Sequence, residues 1–388
     1  MSALPLPSEP RARRAVQTIF FVAGVALAAW APMVPYAKER AGLTEGVLGL
    51  VLLALGIGGV IAMPLTGAAC RRFGVRRTIL ASVAFVPVGL PLLAWASSGL
   101  SLAATLFGFG FAIGMLDVAM NTASVEVERA SGKALLSGIH ALYSIGSLVG
   151  AAATSILLRL GVSLLATATI VMAALLGLAA LALPSIPASE GAPGERSAKA
   201  ARTIPWRVLG LGALCFAAFV TEGGMLDWSA VYLQSTRGVD EASAGFGFVA
   251  FAVAMVAARL VGDRLVARWG AVRVVRYGAL LAASGFVLAA VVPTTLAAGI
   301  GYTLVGLGAG NIVPSLFGAA GRAPELPPAH ALAIVSGLGY AGSVSGPAAI
   351  GAIAAATSLG TAFLGIAASL LLVALGARLS RRPVERNA

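Results

Sequence analysis

The sequence predicts an all-α membrane protein: twelve transmembrane helices in two pseudo-symmetric six-helix bundles, with both termini cytoplasmic. Composition is the first reason. Of 388 residues, 59% are hydrophobic and only 11% charged, whereas a soluble globular chain carries about 25% charged residues. A soluble fold this apolar would lack the polar surface to cover itself. The second reason is that apolar runs of spanning length, about 20 residues, recur along almost the whole chain. The third is internal repetition. Arg72-Phe73-Gly74 matches Arg268-Trp269-Gly270, and Gly146-Ser147-Leu148-Val149-Gly150 matches Gly342-Ser343-Val344-Ser345-Gly346, both at an offset of 196. One offset shared by two separate motifs implies two parallel six-helix repeats.

The spans follow from apolar runs bounded by charges or by Pro and Gly. The first, 15–36, begins after Arg11, Arg13 and Arg14 and closes before Lys38. It is too long for the apolar region of a signal peptide and lacks a small-residue cleavage site, so it is read as retained. Spans two to six cover 44–69, 78–97, 100–125, 134–158 and 162–183. Spans seven to twelve cover 206–234, 243–267, 273–292, 295–318, 328–356 and 358–378. The bundles are therefore expected at 15–183 and 206–378, flanked by cytoplasmic tails at 1–14 and 379–388. The polar stretch 184–205, with Pro, Gly, Ser and alternating charges, reads as a cytoplasmic linker.

Orientation follows from where Lys and Arg fall, because basic loops stay cytoplasmic. With the N-terminus inside, only four of the 27 basic residues lie outside: Lys38, Arg40, Arg159 and Arg237. An even number of spans is then required, which twelve satisfies.

The net charge of +12 raises the question of nucleic acid. The charges lie in short clusters between apolar runs, not along one face, and that distribution argues against a phosphate-binding surface. Cys70 and Cys215 fall in or at the ends of spans and offer neither a disulfide framework nor a metal site. The two histidines, His140 and His330, belong to no HExxH, and no nucleophile–base spacing is present. No catalytic residue, cofactor or metal is expected. Gly306-Leu-Gly-Ala-Gly310 lies inside a span with no preceding strand, so it is not a dinucleotide loop.

Twelve spans, a polar central linker and Gly67…Arg72-Phe73-Gly74-Val75-Arg76-Arg77 resemble the major facilitator superfamily and its loop 2–3 motif. Arg71 stands where that motif usually has Asp. A narrower resemblance rests on Trp30-Ala-Pro-Met-Val-Pro35, Gly114-Met-Leu-Asp117-Val-Ala-Met-Asn121, Leu136-Ser-Gly-Ile-His140 and Glu222-Gly-Gly-Met-Leu-Asp227-Trp228. These stretches look like the branch holding the rhizopine-type membrane protein and uncharacterised inner-membrane transporters, distantly related to fucose–proton symporters. The resemblance implies a secondary transporter working by alternating access in the bacterial inner membrane. It also implies a cytoplasmic gate involving Arg72, Arg76 and Arg77, with Arg268 at the equivalent place in the second repeat.

Charges inside a bilayer cost several kcal/mol and mark pathways or coupling sites. Asp117 and Glu222 fall near the middle of their spans, and Asp227 lies about one and a half turns beyond Glu222. These three acids are the candidate proton-coupling sites. On a straight helix Glu222 and Asp227 diverge by about 140°; Gly223-Gly224 between them is a candidate break that would let both reach one cavity. Asp117, Asn121, Ser124 and Glu128 share a helical face. Ser137, His140, Ser144 and Ser147 form a second stripe, and the offset carries its last three members onto Ser336, Tyr340 and Ser343. Asn121, His140, Ser144, Tyr340, Trp30, Asn311 and Trp228 are the candidate substrate contacts, the alternative being hydrogen-bonded seams between helices or interfacial aromatics. Arg259 and Asp263, spaced i, i+4 near an inner helix end, read as a gate or structural pair.

The expected function is proton-coupled movement of a small polar solute, such as a sugar, polyol or cyclitol, by a monomer whose other partners are protons and the lipid bilayer. Drug or metabolite efflux is the alternative, and an intramembrane enzyme a more distant one.

Overall fold

The computed structural model describes residues 9–131, 135–186, 204–326 and 328–381, and every regular element among them is helical. Twelve segments are long and apolar enough to cross a membrane, the number expected. Of the expected linker 184–205, only 184–186 and 204–205 are described; most of both expected tails also lies outside the described residues.

The chain groups into two compact units, Met1–Leu43 with Val51–Lys199, and Thr44–Leu50 with Ala200–Ala388. The first six spans are α1 (Glu9–Ala29) with α2 (Val34–Arg40), then α3 (Glu45–Phe73), α4 (Val75–Trp95), α5 (Gly99–Ser131), α6 (Leu136–Arg159) and α7 (Leu164–Ala182). The first span is not one helix. Pro32 and Pro35 have no N–H to give, and a short 3₁₀ turn, Ala31–Met33, separates α1 from α2. The helix also starts earlier than the apolar run, so Arg11, Arg13 and Arg14 lie within α1.

The second six spans are α8 (Trp206–Arg237), α9 (Glu241–Ala244) leading into α10 (Phe246–Trp269), α11 (Ala271–Val291), α12 (Thr295–Ala309) with α13 (Ile312–Ala320), α14 (Pro328–Ala356) and α15 (Leu359–Gly376). A last 3₁₀ turn, Ala377–Ser380, closes the unit beyond the expected end of span twelve. Polar side chains cap several of these starts, satisfying N–H groups the helix leaves over: Ser163 on α7, Thr294 on α12 and Ser358 on α15.

The 196 offset has a structural cause in each unit taken separately. Gly74 and Gly270 link α3 to α4 and α10 to α11 with φ/ψ of 85°/153° and 79°/153°. A Cβ is strongly disfavoured in that conformation. The other repeated glycines mark close crossings. A methyl on Gly146 would strike the carbonyl of Phe21 on α1, and one on Gly342 the carbonyl of Phe216 on α8. Gly110 lies against the Leu55 carbonyl as Gly306 lies against that of Phe251, again 196 apart. Small residues let membrane helices pack backbone to backbone, and the second unit repeats these two crossings of the first.

Candidate functional site

Glu222 lies halfway along α8, and Arg259 reaches it from α10. One terminal guanidinium nitrogen of Arg259 donates to both carboxylate oxygens, at 3.4 and 3.5 Å, and both side chains are about 30% exposed. The Nε–H of Arg259 donates to the carbonyl of Gly310 at 3.2 Å. That carbonyl is available for a local reason: its usual helical donor four residues on is Pro314, which has no N–H. The chain breaks at Gly310-Asn311, between α12 and α13, and the guanidinium bridges the broken helix to the acid on α8.

Asn311 holds this break in place. Its amide donates to the Ala258 carbonyl at 2.7 Å, its side-chain oxygen lies against Gly262 on α10, and it is 8% exposed. Expected as a substrate contact, Asn311 is packed against α10 at the α12–α13 break. Arg259, grouped with Asp263 by i, i+4 spacing, meets Glu222 on another helix; the side chain of Asp263 lies outside the described residues.

The α8 face that carries Glu222 continues onto α14. Phe219, one turn earlier, lies against Tyr340 with ring centroids 5.7 Å apart. Gly223, one residue later, is open towards Ser343, whose Oγ is 4.0 Å from where a Cβ would stand. Tyr340 and Ser343 thus lie against α8 residues on either side of Glu222 in sequence.

Asp227 is not on this face. The expected break at Gly223-Gly224 is absent: α8 runs unbroken from Trp206 to Arg237, so Glu222 and Asp227 point in different directions. Gly224 serves packing, with Ile350 and Ile366 each 3.1 Å from the place of its missing Cβ. Asp227 is 7% exposed and Trp228 wholly buried, its indole N–H without a hydrogen-bond partner. Nor are Trp228 and Tyr232 interfacial aromatics. Tyr232 is enclosed, stacks on Phe363 at 4.6 Å, and donates its hydroxyl to the Ala289 carbonyl at 2.8 Å.

In the first unit Asp117 and Asn121 form a pair along α5. The Asn121 amide donates to the Asp117 carbonyl at 2.8 Å and to its carboxylate at 3.2 Å. The rest of that stripe is engaged elsewhere. Ser124 is fully buried and donates to the Asn121 carbonyl, while Glu128 accepts the backbone N–H of Leu135 at 2.7 Å, beside the start of α6. His140 is exposed, with its ring 4.9 Å from that of Phe20; Ser144 is half-buried one turn on, and the side chain of Ser137 lies outside the described residues. Trp30 is wholly buried at the end of α1, its indole N–H unpartnered. The expected gate arginines, Arg72, Arg76, Arg77 and Arg268, stand at helix ends, and Arg72 lies over the ring of Phe73 at 5.3 Å. Among the described residues no group of three His, Cys, Asp or Glu side chains fit to hold a metal ion occurs.

Twelve apolar helices in two repeated units, with an ion pair midway along one of them, define the class as a multi-pass membrane transporter. The family model of the Major Facilitator Superfamily matches residues 18–330, and the chain belongs to that family. It is 45% identical to an uncharacterized MFS-type transporter of Yersinia pestis, over 92% of this chain and 93% of that one. It is 30% identical to the membrane protein MosC of Rhizobium meliloti, over 93% and 88%. Among solved structures it resembles the nucleoside transporter NupG, with TM-score 0.72 and 16% identity over 95% of this chain and 98% of that one. It also resembles a bacterial homolog of the human lysosomal transporter Spinster, with TM-score 0.68 and 14% identity over 98% and 97%. At such identities the structural likenesses speak to the fold alone. The family makes the chain a secondary transporter and not an enzyme.

Proposed function

We propose that this transporter moves a small polar solute of the sugar, polyol or cyclitol kind by alternating access, coupled to protons, in the bacterial inner membrane with both termini cytoplasmic. The observation that carries the reading is the Glu222–Arg259 pair midway along α8. A membrane-embedded acid with a close counter-ion has two stable states. Ionised, Glu222 holds the guanidinium; protonated, it releases most of that attraction and Arg259 keeps its bond to Gly310. Proton loading thereby changes what ties α8 to the α12–α13 break. Asp227, buried on another face, is the weaker coupling candidate.

Hydroxylated ligands suit the neutral donors and acceptors near the two acids. In the second unit these are Tyr340 and Ser343. In the first unit Asn121 is held beside Asp117, with His140 and Ser144 along α6. With Arg259 set apart as the intramembrane partner of Glu222, the other basic residues divide 22 to 4, which supports the orientation. The test is a thermal-shift screen of the purified protein against sugars, cyclitols and lipophilic cations, followed by uptake of each hit into vesicles with and without a pH gradient. Stabilisation by a polyhydroxylated solute and uptake driven by an acid-outside gradient are expected. Stabilisation by lipophilic cations alone would overturn the substrate class in favour of drug efflux.

A further inference from the structure

Where α10 gives way to α11, and α15 enters its last 3₁₀ turn, four arginines gather around one hollow of about 770 Å³. Arg273 and Arg276 come from the first turns of α11, Arg378 and Arg381 from the end of the α15 segment; among the described residues that line it there is no Asp or Glu. The cluster is held in place. Arg276 donates to the Ala374 carbonyl at 3.4 Å, across the α11–α15 seam. Arg207 donates to the carbonyls of Leu379 and Arg381, at 3.4 and 2.6 Å, which fixes the segment bearing Arg378 and Arg381.

The hollow does not end at the charges. A second one of about 700 Å³ shares Arg276 and Arg378 and runs on between Leu280, Leu371, Ala374 and Leu375. A third, of about 480 Å³, shares Leu280 and Leu371 and continues to Val287 and Val291. From Arg276 to Val291 this groove follows one face of α11 for about 22 Å at 1.5 Å per residue, somewhat more than one leaflet's hydrocarbon depth of about 15 Å. Its apolar walls are open, with Leu375 75% and Val291 62% exposed. The first unit shares one of these charges, Arg77 standing at the position equivalent to Arg273; Leu80 stands at that of Arg276, and Leu183–Ile186, which follows α7, carries no basic residue. The repeat itself does not require Arg276, Arg378 or Arg381.

We propose that this groove is a binding site for one anionic membrane phospholipid. Its phosphate lies among Arg273, Arg276, Arg378 and Arg381, and an acyl chain follows the α11–α15 seam. Basic pockets at the cytoplasmic ends of transmembrane helices recognise such headgroups, and the orientation proposed above puts this one at the inner leaflet. A soluble phosphate would use the arginines and leave the apolar extension without purpose. A second copy related by a two-fold axis along the membrane normal would set four arginines against four at the same depth.

The test is native mass spectrometry of the full chain in detergent, titrated with dioleoyl-phosphatidylglycerol, dioleoyl-phosphatidylcholine or inorganic phosphate. Phosphatidylglycerol is expected to bind at least about tenfold more tightly than phosphatidylcholine. R273Q/R378Q, which alters exposed side chains only, is expected to weaken it about 30-fold, from about 1 kcal/mol per arginine near an anionic surface. R276Q should weaken it as well, while R40Q/R159Q, removing equal charge elsewhere, should leave it unchanged. Equal binding of the two lipids, indifference to R273Q/R378Q, displacement of the lipid by millimolar phosphate, or a dimer that excludes lipid would each overturn the proposal.

Discussion

Gly262→Ala tests whether Asn311 is a structural wedge or a substrate contact. The new Cβ would overlap the Asn311 side-chain oxygen and come within 2.8 Å of its Cγ. The carboxamide has nowhere to go: it is 8% exposed and tied to the Ala258 carbonyl at 2.7 Å. Overpacking a filled site costs about 1–3 kcal/mol, and a lost buried hydrogen bond about 1 kcal/mol more. The expected total is about 2–4 kcal/mol. For a unit of this size that corresponds to a fall in melting temperature of about 4–16 °C, read by tryptophan fluorescence in detergent. Asn311→Ala removes the obstructing group, so G262A/N311A should lose clearly less than the sum of the two single variants. A G262A protein that melts with the wild type, or a strictly additive double variant, would refute the packing argument and return Asn311 to the list of ligand contacts.

Arg259→Lys keeps the charge but not the fork that spans Glu222 and Gly310; uptake into vesicles is expected to drop about tenfold with protein levels unchanged, since a lysine point charge cannot serve both acceptors with that geometry. Gly74→Ala and Gly270→Ala impose nearly the same positive φ on a Cβ; each should cost about 1–3 kcal/mol, and thermal melts should show the two losses to be similar. On a background lacking Cys70 and Cys215, Val239→Cys should react with an impermeant thiol reagent in intact cells and Ser197→Cys should not; labelling of the Ser197 variant would reverse the orientation.

What could be read from the sequence is what depends on local composition. Twelve spans follow because lipid allows little else than apolar helices. The two repeats follow because a positive φ at Gly74 and Gly270, and carbonyl contact at Gly146 and Gly342, tolerate no other residue. Interruptions inside apolar runs were harder to see. Hydropathy passes straight over Trp30-Ala-Pro and Gly310-Asn311, although Pro32 and Pro314 were visible signals that a helical carbonyl would be left over. Pairing across helices was not legible at all. Spacing offers Arg259 only a neighbour on its own helix, Asp263, whereas the guanidinium also meets Glu222, 37 residues away in sequence. Gly223-Gly224 read as a break because glycine is a poor helix former, but a helix packed against α14 and α15 retains its form and uses Gly224 for close approach.

The central claim is that Glu222 carries the transported proton. Glu222→Gln keeps the size and hydrogen-bonding capacity of the side chain while removing its titration. With the solute identified by thermal shift, proteoliposomes of this variant should exchange labelled for unlabelled solute at near wild-type rate. They should fail to concentrate it under an acid-outside pH gradient. An E222Q protein, folded and active in exchange, that still accumulates solute against its gradient would contradict the account; the same result for Asp117→Asn would remove a second candidate and leave Asp227.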